Sequence, residues 1–158
     1  MPSARICRLL EHPGERVWRR IADYNGWFGW LPQVADSRME NDTATPAAIG
    51  AVRRVGAWDA PRVREELLGL DETAWMLTYG VAAWPQWRFP ARNYVATVRV
   101  IPLTEQAGTV VDWSSRFDCD QADEERMTEL FQGLYRSFLD GLDADLRASQ
   151  ARHDGGVP

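Results

Sequence analysis

Glu65 and Arg53 are the residues best placed by type and spacing to move a proton. Glu65 sits in Val63-Arg64-Glu65-Glu66-Leu67, where Val63, Glu65 and Leu67 share one face of a strand. Arg53 lies in the preceding strand-like segment and shares a face with Val55 and Ala57. A hairpin turning at Asp59-Ala60 makes the two residues direct or diagonal cross-strand neighbours on the apolar side. Two roles stay open. Glu65 is a general acid or base with Arg53 anchoring an oxyanion or carboxylate, or the two form a structural ion pair at the base of a cavity. Tyr79 and Tyr94 sit on further apolar strand faces, with Leu77 and Val81 and with Ala96, Val98 and Val100. Each either hydrogen-bonds a substrate carbonyl as a proton donor or is a core aromatic with its hydroxyl tied to a partner.

The 158 residues include eight tryptophans, bunched at a few places. Trp27 and Trp30 flank Phe28, Trp84 and Trp87 sit near Phe89, and Trp58 precedes Asp59-Ala60-Pro61. These segments are rich in Gly and Pro, where a large flat apolar side chain usually covers something. Either they rim a pocket for an apolar small molecule, or they cap an ordinary core. The expected ligand contacts are Trp30, Trp58, Val81, Trp84, Trp87 and Trp113, joined from the last helix by Phe131, Leu134, Tyr135 and Phe138. Trp18, Trp75 and Trp113 fall within expected regular elements and suit core or cavity wall.

Other chemistries find little support. All 18 basic residues are arginine, so no Schiff-base or P-loop lysine exists. Cys7 and Cys119 cannot form a disulfide framework and are expected as buried free thiols. The two histidines, His12 and His153, sit near no cysteine or carboxylate at ligand spacing, so neither a metal site nor a Ser-His-Asp triad is expected. No cofactor is expected either. The net charge of -5 and the pI of about 5.0 disfavour nucleic acid as a partner. No apolar run approaches the roughly 20 residues that span a bilayer, and the first residues lack an apolar leader core. The expected protein is cytoplasmic, a monomer or homodimer, with a hydrophobic small molecule as its partner.

The elements that must position these residues follow from periodicity. Ala4–Glu11 alternates as a strand, and His12-Pro13-Gly14-Glu15 opens a helix with Val17, Trp18, Ile21 and Ala22 on one face. Asn25-Gly26 ends it, and a second short helix follows towards Pro32. Six strand-like pieces come next: 34–41, 51–58, 62–71, 75–83, 92–102 and 109–118. From Gln121 to Arg147, Met127, Leu130, Phe131, Leu134, Phe138, Leu142 and Leu146 recur at helical spacing. Gly133 and Gly141 interrupt that helix. The order predicts an α+β fold, a curved antiparallel sheet of about seven strands around a long C-terminal helix, with two short helices after the first strand. One domain spans 1–149, and 150–158 is a disordered tail.

The chain resembles the START/Bet v 1-like (SRPBCC) helix-grip superfamily, within it the polyketide cyclase/dehydrase-like branch. The resemblance runs from about residue 4 to 147. It is carried by Val17-Trp18, Trp30-Leu31-Pro32, Gly50-Ala51-Val52-Arg53, Val63-Arg64-Glu65-Glu66-Leu67, Leu70-Asp71-Glu72, Tyr79, Asn93-Tyr94 and Trp113 before Phe117-Asp118. It implies a ligand cavity between sheet and helix, and hosts carriers, receptors and cyclases alike. Plant abscisic acid receptors are more distant cousins. There a glutamate at the position of Glu65 and a tyrosine at that of Tyr94 line the pocket, but the pocket lysine falls near Ala35. The resemblance implies a cofactor-independent cyclase/dehydratase acting on a hydrophobic, polyketide-like intermediate, or a non-catalytic carrier of an apolar molecule.

Overall fold

In the computed structural model, which describes residues 1–40, 48–57, 60–84 and 89–154, seven antiparallel strands form one curved sheet. They are β1 (Ser3–Leu10), β2 (Val34–Met39), β3 (Val52–Ala57), β4 (Ala60–Asp71), β5 (Met76–Ala83), β6 (Arg92–Pro102) and β7 (Thr109–Asp118). Their order across the sheet is β1-β7-β6-β5-β4-β3-β2. Short connections make each strand from β2 to β7 pair with the next in sequence, and β1 closes onto β7. Between β1 and β2 come helix α1 (Gly14–Ala22) and a 3-10 helix (Tyr24–Gly29). A second 3-10 turn (Gln121–Asp123) leads into the long helix α2 (Glu124–Asp154). The expected helix-grip arrangement is the observed one.

Register fixes what lies on the inner face, because every second residue of a strand points the same way. One row across the sheet reads Met39, Arg53, Glu65 and Val81. The next reads Leu67, Tyr79, Ala96, Ser115 and Ala4. A third reads Leu77, Val98, Trp113 and Ile6. Helix α2 covers this face with Met127, Phe131, Tyr135, Leu139, Leu142 and Leu146, all buried. The expected stripe leans to one side of that face: Leu130, Leu134 and Phe138 are only half-buried flanks, and Tyr135 and Leu139 take the centre.

Gly141 explains how the helix settles. A Cβ there would lie 2.1 Å from the Trp30 carbonyl oxygen and 2.7 Å from Pro32 Cδ. Only a glycine lets the Trp30–Pro32 segment approach the helix so closely. At Gly133 a Cβ would meet nothing within 4 Å. The helix also runs beyond Arg147 to Asp154. Arg16 Nη2 donates to the Leu146 carbonyl at 3.1 Å and to Ser149 Oγ at 3.0 Å, tying the last turns to α1.

Two expectations about individual residues need correction, and one outer-face carboxylate is covered. Trp75 is not within a strand but in the β4–β5 turn at φ 49°, where its ring packs over Gly14. Cys7 is exposed on the outer face, paired in register with Asp112, so it is nowhere near Cys119 beyond the far end of β7. Asp112, which alternates with Trp113 to the outer face, is only 8% exposed. The Arg5 guanidinium covers it with two 2.8 Å hydrogen bonds, and the Cys7 thiol donates at 3.3 Å.

Candidate functional site

The β3–β4 hairpin puts Arg53 directly opposite Glu65. Arg53 Nε and Nη2 donate to Glu65 Oε2 at 2.8 and 2.7 Å, and Nη1 donates to the Tyr24 carbonyl. All three guanidinium nitrogens are therefore engaged. The guanidinium carbon also lies 3.8 Å from the centroid of the Tyr24 ring and 4.4 Å from that of Trp27. A planar guanidinium can stack on rings and donate in its plane at once, which an ammonium cannot. The Arg53 side chain is 2% exposed and that of Glu65 15%. The carboxylate is thus the more accessible partner, held through one oxygen by a cation that cannot move away.

One strand step along the inner face lies a group of hydroxyls. Tyr94 Oη and Tyr135 Oη are 2.6 Å apart, and the Tyr135 hydroxyl donates to Ser115 Oγ at 2.5 Å. Trp113 Nε1 donates to Tyr79 Oη at 3.3 Å. Burial pushes the Tyr79, Tyr94 and Tyr135 phenols well up from their ordinary value, and for Tyr79 and Tyr94 the charges of neighbouring tyrosines push in the same direction. They are neutral hydrogen-bonding groups at any ordinary pH.

Around these polar groups the rings pack edge to face or stacked. Trp27 meets Trp30, Tyr79 and Trp113 at centroid distances of 5.7, 5.5 and 5.3 Å. Trp84 stacks on Phe89 at 5.2 Å and on Phe131 at 5.6 Å, and stands edge-on to Tyr94 at 5.1 Å. Its Nε1 donates to the Ala91 carbonyl at 2.9 Å, which ties the two ends of the β5–β6 connection together.

Of the expected ligand contacts, Trp30, Trp113, Phe131 and Tyr135 are buried, while Val81, Trp84, Leu134 and Phe138 are half-buried. The second set retains surface that a ligand can cover. Trp58 and Trp87 lie outside the described residues. The four expected chemical residues form two contact pairs: Arg53 with Glu65, and Tyr79 with Tyr94 at 6.2 Å between centroids. The phenol of Tyr79 also feels the Glu65 charge, which joins the two groups electrostatically.

The expected site residues omitted Tyr24 and Ser115, and Trp27 was read only as one of the tryptophans that rim a pocket or cap a core. Ser115 was within reach, since it alternates with Trp113 and Phe117 on the inner face. Tyr24 and Trp27 are brought in by a 3-10 helix, started by Asp23 accepting from the Gly26 amide at 3.2 Å. Six residues of 3-10 structure leave no periodic pattern to find.

A family model described as polyketide cyclase / dehydrase and lipid transport matches residues 6–147. Among solved structures, XoxI from Bacillus cereus superposes with a TM-score of 0.80 at 25% identity, covering 95% of this chain and 99% of that one. A Thermobifida fusca protein gives 0.80 at 26%, covering 92% and 93%. A Bacillus thuringiensis protein gives 0.77 at 25%, covering 91% and 98%. No curated protein matches the sequence. Among the described residues no helix is long and apolar enough to cross a membrane.

Proposed function

The chain belongs to the polyketide cyclase/dehydrase and lipid-transport family, and from that premise we propose that it binds a hydrophobic, polyketide-like molecule between the sheet and α2, with Glu65 transferring protons on it. The observation that carries this reading is the asymmetry of the ion pair. Arg53 is buried with every nitrogen occupied, while Glu65 is held through Oε2 and is the more accessible of the two. Cyclisation and dehydration of a poly-carbonyl chain need a proton removed beside a carbonyl and a proton delivered to a departing hydroxyl. A carboxylate fixed on an otherwise apolar wall suits both steps, because it works without reorganising solvent. In this scheme Arg53 is a positioning residue rather than an oxyanion anchor. Tyr79 and Tyr94 shape the wall and offer neutral hydroxyls. Trp84, Phe131, Leu134 and Phe138 hold the apolar body of the ligand.

A second reading, a carrier without catalysis, is favoured by the way Tyr94, Tyr135 and Ser115 satisfy one another. A wall whose hydroxyls are spent on themselves suits a passenger held by shape and area. Glu65→Gln separates the two, since it keeps the shape and removes the proton carrier. With a synthetic poly-β-ketone, loss of water followed by mass spectrometry should fall by roughly a hundredfold or more, while binding of the same compound persists. Undiminished turnover in the variant defeats the catalytic role, and binding without turnover in the unaltered protein establishes the carrier.

A further inference from the structure

All four tyrosines of the chain are buried, and three have partners for their hydroxyls. Tyr24 is the exception. It is 0% exposed, and its Oη has no hydrogen-bond partner among the described residues. Its surroundings are polar all the same. The Arg53 guanidinium lies over the ring face, and the charges of Arg53 and Glu65 both act on the phenol. Trp27 stands edge-on to the ring at 5.7 Å.

This is an odd place for a hydroxyl with nothing to do. Ring stacking on Arg53 needs only the aromatic face, and the bond from Arg53 Nη1 goes to the Tyr24 carbonyl; the guanidinium lies close enough to favour negative charge on the phenol oxygen, yet its geometry makes no hydrogen bond there, and the hydroxyl proton has no acceptor among the described residues. A phenylalanine would keep both interactions. It would also avoid enclosing an unpaired polar atom, which is costly in a protein interior. The ring that carries the hydroxyl packs against the Arg53–Glu65 ion pair of the inner face, whose carboxylate is the one proposed to handle protons.

We infer that Tyr24 is a ligand-binding residue: its hydroxyl donates a hydrogen bond to an oxygen of the bound molecule, at the Arg53–Glu65 end of the inner face. The ligand class is thereby narrowed. It is an apolar, ring-bearing molecule with a carbonyl or ether oxygen at the leading end, and the apolar body lies towards Trp84 and Phe131. This assignment rests on the proposal that a hydrophobic molecule occupies the interior. It adds a polar contact that orients that molecule, so that the carbon beside the carbonyl faces Glu65. A neutral phenol with a raised pKa suits such a contact, because it donates without ionising.

The test compares two probes of equal shape, 2-acetylnaphthalene and 2-ethylnaphthalene, by equilibrium dialysis against the intact protein and its Tyr24→Phe variant. The variant should bind the ketone roughly three- to tenfold more weakly and the hydrocarbon equally well. Its urea midpoint should equal or exceed that of the unaltered protein, since an unpaired hydroxyl is removed. A ketone-to-hydrocarbon ratio that is the same in both proteins overturns the assignment while leaving the hydrophobic site intact. A lower urea midpoint also overturns it, by showing that the hydroxyl already has a partner within the protein. If the unaltered protein binds neither probe, the hydrophobic-ligand proposal itself falls, and this inference with it.

Discussion

Replacing Arg53 by Met tests the ion pair at the centre of the site. The substitution keeps length and apolar stem but removes everything the guanidinium does. Glu65 loses its partner while remaining on a largely buried face, and breaking a buried pair from one side typically costs about 3–5 kcal/mol. The Tyr24 carbonyl loses its donor, worth about 1 kcal/mol or more when buried. Tyr24 and Trp27 lose the cation above their rings, about 1 kcal/mol. Against these stands the better burial of a thioether, about 1–2 kcal/mol. A net loss of about 4 kcal/mol follows, or roughly 8–16 °C in Tm for a chain of this length.

Glu65→Leu should cost less, about 2 kcal/mol, because Arg53 keeps the Tyr24 carbonyl and both rings. The double variant carries the sharper prediction. Independent sites would give a loss of about 6 kcal/mol. A true pair should give only about 3 kcal/mol, because an unpaired charge no longer remains in either half. Urea unfolding of all four proteins at one pH measures this directly, provided the slope with denaturant stays constant. A double variant within about 0.5 kcal/mol of additivity would falsify the pairing. It would also remove the reason for treating Arg53 as the residue that positions Glu65.

The two helix glycines should respond with opposite signs. Gly141→Ala forces backbone atoms of Trp30 apart from the helix and should cost about 2 kcal/mol despite alanine's helix preference, whereas Gly133→Ala meets open space and should gain up to about 1 kcal/mol. Thermal unfolding of the two variants decides it; equal signs would contradict the close approach at Trp30. Asp112 offers a pH signature. Burial works to raise its carboxyl, but hydrogen bonds from Arg5 and Cys7 and the Arg5 charge outweigh it and hold the group below the ordinary range. A depressed carboxyl stabilises the fold above the unfolded value near ~3.9, and that contribution fades as pH falls through the lower folded value. Asp112→Asn should thus lose about 1 kcal/mol at pH 7, a modest figure because Arg5 is mostly exposed, and the deficit should shrink towards pH 3. A deficit of the same size at both pH values refutes the assignment.

The fold was legible because its elements announce themselves by period. Strands alternating every two residues, separated by short turns, leave an antiparallel meander as the simplest order, and α2 repeats its apolar stripe from Met127 to Leu146, over about five turns. The Arg53–Glu65 contact was legible for the same reason: a hairpin of known turn fixes partners across two strands. What stayed hidden depends on contacts between segments far apart in the chain. The burial of Asp112 needs Arg5, 107 positions away, to fold over it. The place of Trp27 among Tyr79, Trp113 and Trp30 needs a 3-10 helix laid across the sheet. The burial of Tyr135 and Leu139, with Leu130, Leu134 and Phe138 only flanking them, depends on how α2 lies on the sheet, where Gly141 meets the Trp30–Pro32 segment. None of these leaves a trace in local spacing.

The chemistry of the interior narrows sharply once the phenols are known to stay neutral. Tyr24, Tyr79, Tyr94 and Tyr135 are all pushed away from ionisation by burial, so none can accept a proton from a substrate at ordinary pH. Arg53 does not give one up. Among the inner-face strand positions of β2 to β7, Glu65 is then the group that can change its charge. In the proposed scheme the proton therefore passes through that carboxylate. This makes the site a stringent one to probe. A single substitution, Glu65→Gln, removes the one carboxylate among these described positions, and in the proposed scheme leaves Tyr24 and the aromatic wall in place. Catalysis and carriage, which share every other residue of the site, part company at that one atom.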